Sequence, residues 1–249
     1  MVGDELITQA YDLNAEYWIS MIRAGTDPYQ TQITDPALLN AIGNVDGLDV
    51  LDAGCGEGYL ARKLLEMGAG TVLGIDTCQA FVDSATIVGT PRARFVHADV
   101  AAIPASDVSV DLVVVNRLPH GLTNPAARYH EFARVLRPRG RLVIIGQHPC
   151  FYSARAERAP STTGGVPVYD YFGGRIVEQR FNVGSQESPA ASVQKFYSLE
   201  QYIGMITAAG FVITGIREPR PTEDQLLEDP QWYVRFQRPL FLLIEARLE

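Results

Sequence analysis

The feature that most constrains the fold is a short apolar run followed by three glycines at every second position. Residues 50–58 have the sequence VLDAGCGEG, with an acidic residue inside the run and the glycines after it. Glycine lets the backbone adopt a positive φ and approach a ligand without a Cβ clash. The segment therefore predicts a buried parallel strand, a tight ligand-binding turn and a helix that begins near Tyr59.

The predicted turn carries two acidic side chains, Asp52 and Glu57, close to the start of that helix. A loop that binds a pyrophosphate offers backbone N–H groups and the positive end of a helix dipole instead. Two carboxylates repel a polyphosphate and favour a ligand that carries positive charge. The pattern Gly56-x-Gly58-x-x-Ala61 also fits nicotinamide-binding folds, but the acidic pair argues against that interpretation.

Composition and charge limit the classes of partner. The chain has 249 residues and a formal net charge of −8 at pH 7, so we do not expect nucleic acid, which needs clustered Lys and Arg. The three cysteines, Cys55, Cys78 and Cys150, form no even set and no C-x-x-C pair, so we expect no disulfide framework and no metal site. Because a leader pattern and a long apolar run are missing, we expect a cytoplasmic protein without a membrane partner. Monomer and homodimer both stay open.

Apolar runs alternate with helical patterns along most of the chain. The patterns predict strands at 48–53, 71–75, 93–97, 110–115 and 141–145, and helices at 5–24, 36–43, 58–68, 78–88 and 124–136. A helix at 198–209 and strands at 211–216 and 239–244 follow a segment that breaks the rhythm. Continuous Val/Ile/Leu strands between helices favour a parallel sheet covered on both faces. The predicted fold class is α/β, a doubly wound, seven-stranded, mostly parallel sheet.

We predict one domain over 1–249 with four parts. These are an N-terminal helical lid (1–45), a ligand-binding core (46–146), an inserted β-rich lid (147–197) with extended runs at 166–172 and 175–183, and a C-terminal helix with strands (198–249). Aromatic residues concentrate in the two lids and the C-terminal loop: Tyr11, Tyr17, Trp18, Tyr29, Phe151, Tyr152, Tyr169, Tyr171, Phe172, Trp232 and Tyr233. Such segments favour an enclosed apolar pocket for a small organic substrate, although ordinary packing of the lids explains many of them equally well.

Polar residues follow the predicted strands where each one ends. They are Asp52, Asp76, Asp99, Asn116 and His148. In an open α/β sheet, ligands bind beyond the carboxyl ends of the strands. Asp76 is placed to accept hydrogen bonds from both hydroxyls of a ribose, and Asp99 from an adenine amino group. Val100 and the pair Thr77-Cys78 flank the expected position of the ring.

The ordered motifs resemble the class I S-adenosylmethionine-dependent methyltransferases, particularly the small-molecule members similar to menaquinone and ubiquinone C-methylases. Residues 51–58 resemble their first motif; 74–76, 98–100, 111–114 and 135–142 resemble later ones, and 11–18 resembles their lid helix. S-adenosylmethionine carries the positive sulfonium and ammonium groups that the acidic turn favours. Arg139 stands where the family usually has glycine, and the segment 147–195 matches no family motif.

The resemblance implies a role for each matched residue. Asp52, Gly54 and Gly56 would bind the methionine part of S-adenosylmethionine, Asp76 the ribose, Asp99 and Val100 the adenine, and Asn116 the region of the sulfonium. Cys55, Thr77 and Tyr17 complete the predicted cofactor site. The product formed from the cofactor would be S-adenosylhomocysteine.

The predicted reaction is methyl transfer to an O, N or C nucleophile of a small, partly aromatic or apolar metabolite in biosynthesis. His148 and His120 are the candidates for a base or a substrate ligand, because histidine titrates near neutral pH. The alternatives are a loop histidine held by Pro149 and a histidine at a helix entry. The cofactor motifs also fit a fold of this family that binds the cofactor but catalyses a non-methylating reaction such as cyclisation.

Overall fold

The computed structural model describes residues 4–119, 123–151, 170–183 and 186–249. In chain order the strands are β1 (Asp49–Ala53), β2 (Thr71–Asp76), β3 (Ala93–His97), β4 (Val110–Asn116), β5 (Leu136–Gln147), β6 (Arg175–Gln179), β7 (Asn182–Val183), β8 (Gln186–Glu187), β9 (Ser192–Phe196), β10 (Phe211–Arg217) and β11 (Phe241–Leu248). Seven of them form the central sheet in the order β10-β11-β5-β4-β1-β2-β3. The pairs among β1 to β5 are parallel, whereas β11 is antiparallel to both of its neighbours.

Helices cover both faces of this sheet. They are α1 (Glu5–Leu13), α2 (Ala15–Ala24), a π-helical turn (Tyr29–Thr34), α3 (Asp35–Ile42), α4 (Tyr59–Glu66), α5 (Gln79–Val88), α6 (Ala127–Val135), α7 (Leu199–Ala208), α8 (Glu223–Glu228) and α9 (Gln231–Arg235). Side chains of α6 and α7 pack on one face, and those of α3 and α4 pack on the other. The strands are apolar on both sides because both faces are buried. The predicted doubly wound, mostly parallel fold is confirmed.

Several boundaries differ from the predicted ones. Helix 5–24 is broken at Asn14, and β5 begins at Leu136 instead of 141 because Leu136 pairs with Val110 across a register shift. Arg139, inside β5, has φ of 66° at the position where glycine was expected. The loop after β10 contains α8, which begins with a capping box of Thr222 and Gln225.

The described part of the inserted lid forms two short antiparallel pairs, β6 with β9 and β7 with β8. The expected extended run at 166–172 was wrong for 170–172, which form a turn, and its first part lies outside the described residues. The run at 175–183 is interrupted at 180–181, and β9 was not predicted. The boundaries of the four parts of the domain stay a prediction. Within the described ranges, every helix is too short or too polar to cross a membrane.

Candidate functional site

The glycine turn lies between β1 and α4, and its backbone geometry explains why three of its residues are glycine. Gly54, Gly56 and Gly58 have φ values of 81°, 53° and 82°. The amides of Gly54 and Cys55 each donate to the carbonyl oxygen of Ile75 at 2.9 Å, which holds the turn against β2. A Cβ on Gly54 would lie 2.7 Å from Leu118 Cδ1, whereas a Cβ on Gly56 would meet nothing within 4 Å. The open side of the turn is therefore at Gly56.

Asp52 is a buried carboxylate without a cationic partner among the described residues. Its side chain is 1% exposed, and neither oxygen accepts a hydrogen bond of standard geometry from a residue that the structure describes. Burial, together with the nearby charge of Asp76, raises the pKa of Asp52 to about 7, and the backbone N–H of Ala61 in α4 opposes the rise. An unpaired buried carboxylate is costly, so this position favours a ligand that brings a cation or hydrogen-bond donors.

Asp76 ends β2 and ties the glycine turn to the next loop. Its Oδ2 accepts from the Gly56 amide and its Oδ1 from the Cys78 amide, both at 2.9 Å. Burial raises the pKa of Asp76, and these backbone bonds oppose the rise. The bonds leave part of each oxygen's acceptor capacity free.

The other residues predicted near the adenine are Thr77, Val100 and Asp99. The carbonyl oxygen of Thr77 lies 2.8 Å from His97 Nε2. Val100 is buried in the core, and the exposed Asp99 accepts from the Ala101 amide at 2.8 Å. The buried Cys55 thiol has a pKa raised by burial and the surrounding carboxylates.

Glu57 does not present its charge to a ligand, contrary to our prediction. Its side chain is fully buried, its Oε2 accepts from Arg23 Nε at 3.0 Å, and its Oε1 pairs with Arg62. Arg23, on α2, also donates to Ser84 Oγ at 2.7 Å. The Glu57 carboxylate therefore fastens the N-terminal lid to the glycine turn, and Asp52 is left as the unpaired acidic group beside the turn.

A partly buried polar network at the end of β4 was not predicted. The Asn116 amide nitrogen donates to the hydroxyl of Tyr59, and that hydroxyl lies 3.0 Å from Asp35 Oδ1. Lys63 Nζ donates to Asp35 Oδ2 at 2.9 Å. The Asn116 Oδ1 atom is buried and has no partner among the described residues.

Arg117 continues this network toward the N-terminal lid. Its φ is 55°, and its guanidinium donates to Asp27 Oδ2 at 2.8 Å and to Gln30 Oε1 at 2.9 Å. The pKa of Arg117 is raised even though burial opposes the rise, because the Asp27 carboxylate attracts the charge. The sequence signals Asp27-Pro28 and Asp35-Pro36 mark these positions, but they predict only turns and helix starts.

The two lids are joined to each other by hydrogen bonds and by an aromatic contact. Asn14 is fully buried; its Nδ2 donates to the Ala190 carbonyl oxygen at 2.9 Å, and its Oδ1 accepts from the Ala190 amide at 2.8 Å. The Tyr17 hydroxyl donates to the Gln186 carbonyl oxygen at 3.2 Å, and the ring of Trp18 packs edge-on against Phe181. The hydroxyl of Tyr17, predicted at the cofactor, thus lies between the two lids in this structure.

The predicted aromatic pocket is only partly assembled. Tyr29 packs against Trp232 and Phe241. Phe172 and Tyr233 are exposed, and Tyr152 and Tyr169 lie outside the described residues.

His148 follows β5 and is buried. The Cys150 amide donates to its Nδ1 at 3.2 Å, so the neutral ring carries its proton on Nε2, which lies 3.2 Å from Glu218 Oε1. Burial lowers the pKa of His148, and Glu218 opposes the shift. Both ring nitrogens are thus engaged. His120 lies outside the described residues.

Comparison with known proteins agrees with this architecture. A methyltransferase domain family matches residues 51–144. A Mycolicibacterium smegmatis protein named a probable S-adenosylmethionine-dependent methyltransferase is 38% identical over 102 residues, which cover 39% of this chain and 37% of that protein. The demethylmenaquinone methyltransferase of Clavibacter sepedonicus is 29% identical over 140 residues, 55% of this chain and 54% of that protein.

The matched part thus spans between about a third and about half of these relatives. Among solved structures, an S-adenosylmethionine-dependent methyltransferase from Mesorhizobium loti aligns with a TM-score of 0.72 and 27% identity, over 85% of this chain and 96% of that one. Residues 51–144 thus form a methyltransferase domain, and the fold is that of the class I S-adenosylmethionine-dependent methyltransferases.

Asp52, Gly56 and Asp76 form a site that fits S-adenosylmethionine, the cofactor of this methyltransferase family. Asp52 would present its buried carboxylate to the ammonium group, and the space beside Gly56 would let the methionine part approach the backbone. Asp76 would accept from the ribose hydroxyls with its remaining lone pairs. S-adenosylmethionine is therefore a cofactor that matches both the charge and the shape of the described residues.

Two glycine variants separate the two sides of the turn. Both Gly54→Ala and Gly56→Ala place alanine at positive φ, which costs about 1–2 kcal/mol in each. We expect Gly54→Ala to lose a further ~1–3 kcal/mol of unfolding free energy because its Cβ overlaps Leu118. Gly56→Ala should instead weaken S-adenosylhomocysteine binding about tenfold. Denaturant unfolding and calorimetric titration measure the two effects, and unchanged binding in Gly56→Ala would place the cofactor elsewhere.

Proposed function

We propose that this protein transfers the methyl group of S-adenosylmethionine to a small, partly aromatic or apolar metabolite. The observation that carries the proposal is the unpaired, buried carboxylate of Asp52 beside an open glycine turn. A cationic nucleoside ligand satisfies that carboxylate. Bound S-adenosylmethionine supplies an electrophilic methyl group attached to its sulfonium sulfur.

The chain's own contribution is position and exclusion of water. Methyl transfer is an in-line displacement, so most of the rate gain comes from holding the two reacting groups aligned in a site without bulk water. The N-terminal lid is fastened to the glycine turn through Arg23 and to the end of β4 through Arg117. The inserted lid is fastened to the N-terminal lid through Asn14. Together these contacts connect the inserted lid, through the N-terminal lid, to the glycine turn and to the end of β4.

The joined lids favour a small substrate over a protein or nucleic acid. A macromolecule needs an open groove, whereas the Asn14–Ala190 and Trp18–Phe181 contacts bridge the two lids. The similarity to a demethylmenaquinone methyltransferase supports an aromatic acceptor. His148 stays our candidate for a base or substrate ligand, and it would have to release Glu218 before its Nε2 contacts a substrate.

The direct test uses S-adenosylmethionine labelled with ¹³C in the transferable methyl group. Incubation with a small-molecule extract of bacterial cells should give labelled products together with S-adenosylhomocysteine. A reaction that alters an acceptor while the cofactor stays intact would indicate cyclisation or another non-methylating activity.

A second test asks whether Asp76 binds the ribose in addition to accepting from the Gly56 and Cys78 amides. We expect Asp76→Asn to weaken S-adenosylhomocysteine binding at least about tenfold, because it loses charge-assisted hydrogen bonds. The 2′-deoxy and 3′-deoxy analogues should bind the wild type more weakly, yet lose less in the variant. Equal losses in both proteins, measured by calorimetry, would mean that Asp76 holds the turn without binding ribose.

A further inference from the structure

Three neighbouring strands of the sheet each carry, at or next to the carboxyl end, a buried acceptor oxygen that makes no hydrogen bond of standard geometry to a described residue. They are Asp52 on β1, Asn116 on β4 and Gln147 on β5. The residues two positions earlier, Val50, Val114 and Ile145, all pack in the core between the sheet and helices α3 and α4. Because side chains alternate along a strand, the three acceptors project toward the same side of the sheet.

From β1 to β4 to β5, each acceptor lies further along the strand direction than the one before it. Asp52 pairs in register with Val114, and Asn116 comes two residues after it; Asn116 pairs with Ile145, and Gln147 comes two residues after that. Each step moves one strand sideways, about 4.8 Å, and about 6.6 Å further along the strands. Asp52 therefore lies in the candidate cofactor site, and the other two lie progressively beyond it.

The orientation of the Asn116 amide is fixed by the network beneath it. The Asp35 carboxylate, paired with Lys63, can only accept, so the Tyr59 hydroxyl must donate to Asp35. The Tyr59 oxygen is then left to accept, and Asn116 must turn its NH₂ group toward it. The Asn116 carbonyl oxygen consequently faces away from Tyr59, where it meets no described donor. Tyr59, Asp35 and Lys63 together thus fix the direction in which the Asn116 carbonyl oxygen points.

We propose that Asn116 Oδ1 and Gln147 Oε1 accept hydrogen bonds from an amino group of the methyl acceptor, with Tyr59 as the positioning residue. The proposal rests on the proposed function and narrows its substrate class to a neutral primary amine. Two carbonyl acceptors match the N–H donors of such a group and leave its lone pair free. Unmet buried acceptors cost free energy, so a ligand that supplies donors is strongly preferred there.

The state of His148 agrees with a nucleophile of this kind. Both of its ring nitrogens are engaged, and a neutral amine needs no base before it attacks. The nitrogen lone pair forms the bond to the methyl carbon, and the carbon–sulfur bond breaks with its electron pair staying on sulfur. The resulting ammonium then loses its proton to solvent, and S-adenosylhomocysteine is the second product.

The experiment identifies the atom that receives the methyl group. The ¹³C-methyl transfer assay is run with the bacterial small-molecule extract, with 1-naphthylamine, 1-naphthol and 1,4-dihydroxynaphthalene added as probes. The ¹³C chemical shift separates N-, O- and C-methyl products. We expect N-methyl products. O- or C-methyl products alone would overturn the amine class while the proposed function stands, and no labelled product at all would count against the proposed function itself.

The role of Tyr59 is tested with Tyr59→Phe and a matched control. Tyr129→Phe removes the hydroxyl of a buried tyrosine that packs on the opposite face of the sheet, away from Asn116. We expect Tyr59→Phe to lower kcat for the N-methylated product about tenfold, with the affinity for S-adenosylhomocysteine changed less than about threefold. Its Asn116 side-chain amide protons should also exchange faster in NMR spectra, whereas Tyr129→Phe leaves both readouts unchanged. If Tyr59→Phe instead weakens cofactor binding and leaves turnover at saturation intact, Asn116 serves the cofactor and the inference fails.

Discussion

Replacing Asp52 with asparagine is expected to stabilise the cofactor-free protein at pH 8 while weakening its affinity for S-adenosylhomocysteine about 100-fold. The wild-type carboxylate must be ionised in a buried site beside Asp76 and without a cationic partner among the described residues, which is why its pKa is raised to about 7. Asparagine has the same shape without the charge. The gain in unfolding free energy at pH 8 is up to roughly 4 kcal/mol, from the difference between the folded pKa and the ordinary value near 3.9.

The pH dependence has a definite sign. A carboxyl group whose pKa is raised on folding stabilises the protein fully below about pH 3.9 and loses that contribution as the pH rises to about 7. The difference in unfolding free energy between Asp52→Asn and wild type should therefore grow from pH 4 to pH 7 and then level off. Denaturant unfolding across this range measures it, and the exposed Asp99→Asn serves as the control. A difference that is constant with pH would mean that Asp52 has a partner.

Ionisation of Asp52, which lowers the stability of the cofactor-free protein, is expected to raise its affinity for the cofactor. The ammonium group of the ligand needs the ionised carboxylate, so the affinity of the wild type for S-adenosylhomocysteine should rise up to about tenfold per pH unit below pH 7 and flatten above it. Calorimetry in buffers of different ionisation enthalpy counts the proton released on binding. In Asp52→Asn, the affinity should not depend on pH in this range, and no proton should be released on binding.

Asn14→Ala is expected to open the joined lids. The fully buried Asn14 side chain makes two hydrogen bonds to Ala190, and its removal leaves a buried N–H and a buried carbonyl oxygen unpaired. The cost to lid closure is about 2–4 kcal/mol, so S-adenosylhomocysteine should dissociate about 30-fold faster or more. Stopped-flow measurements give the rate, and hydrogen exchange over residues 186–196 should rise in the same variant.

The exposed Asn182, on β7 of the same lid, provides the matched control. Asn182→Ala should change neither the dissociation rate nor the exchange pattern. If Asn14→Ala lowers the melting temperature but leaves exchange at 186–196 and ligand dissociation as in the wild type, the pair stabilises the fold without holding the lids closed.

The predicted sheet followed from local patterns. The strands around Leu51, Val113 and Ile144 are continuous apolar runs because both sheet faces are covered, and that burial is visible in the sequence itself. The glycine turn was equally clear, since positive φ at three alternate positions permits little besides glycine. Asp52 and Asp76 were placed at one edge because the carboxyl ends of parallel strands lie together.

The tertiary structure decided which polar groups near that edge are free and which are paired. Glu57 and Asp52 are equivalent in a sequence pattern, yet Arg23 and Arg62 neutralise one and leave the other unpaired. Asn14 meets Ala190 across a separation of 176 residues, and Arg117 meets Asp27 across 90. Periodicity and turn signals record the burial of a residue against its own strand or helix. They carry no record of a partner brought close by the packing of distant segments, and those partners set the charge of this site.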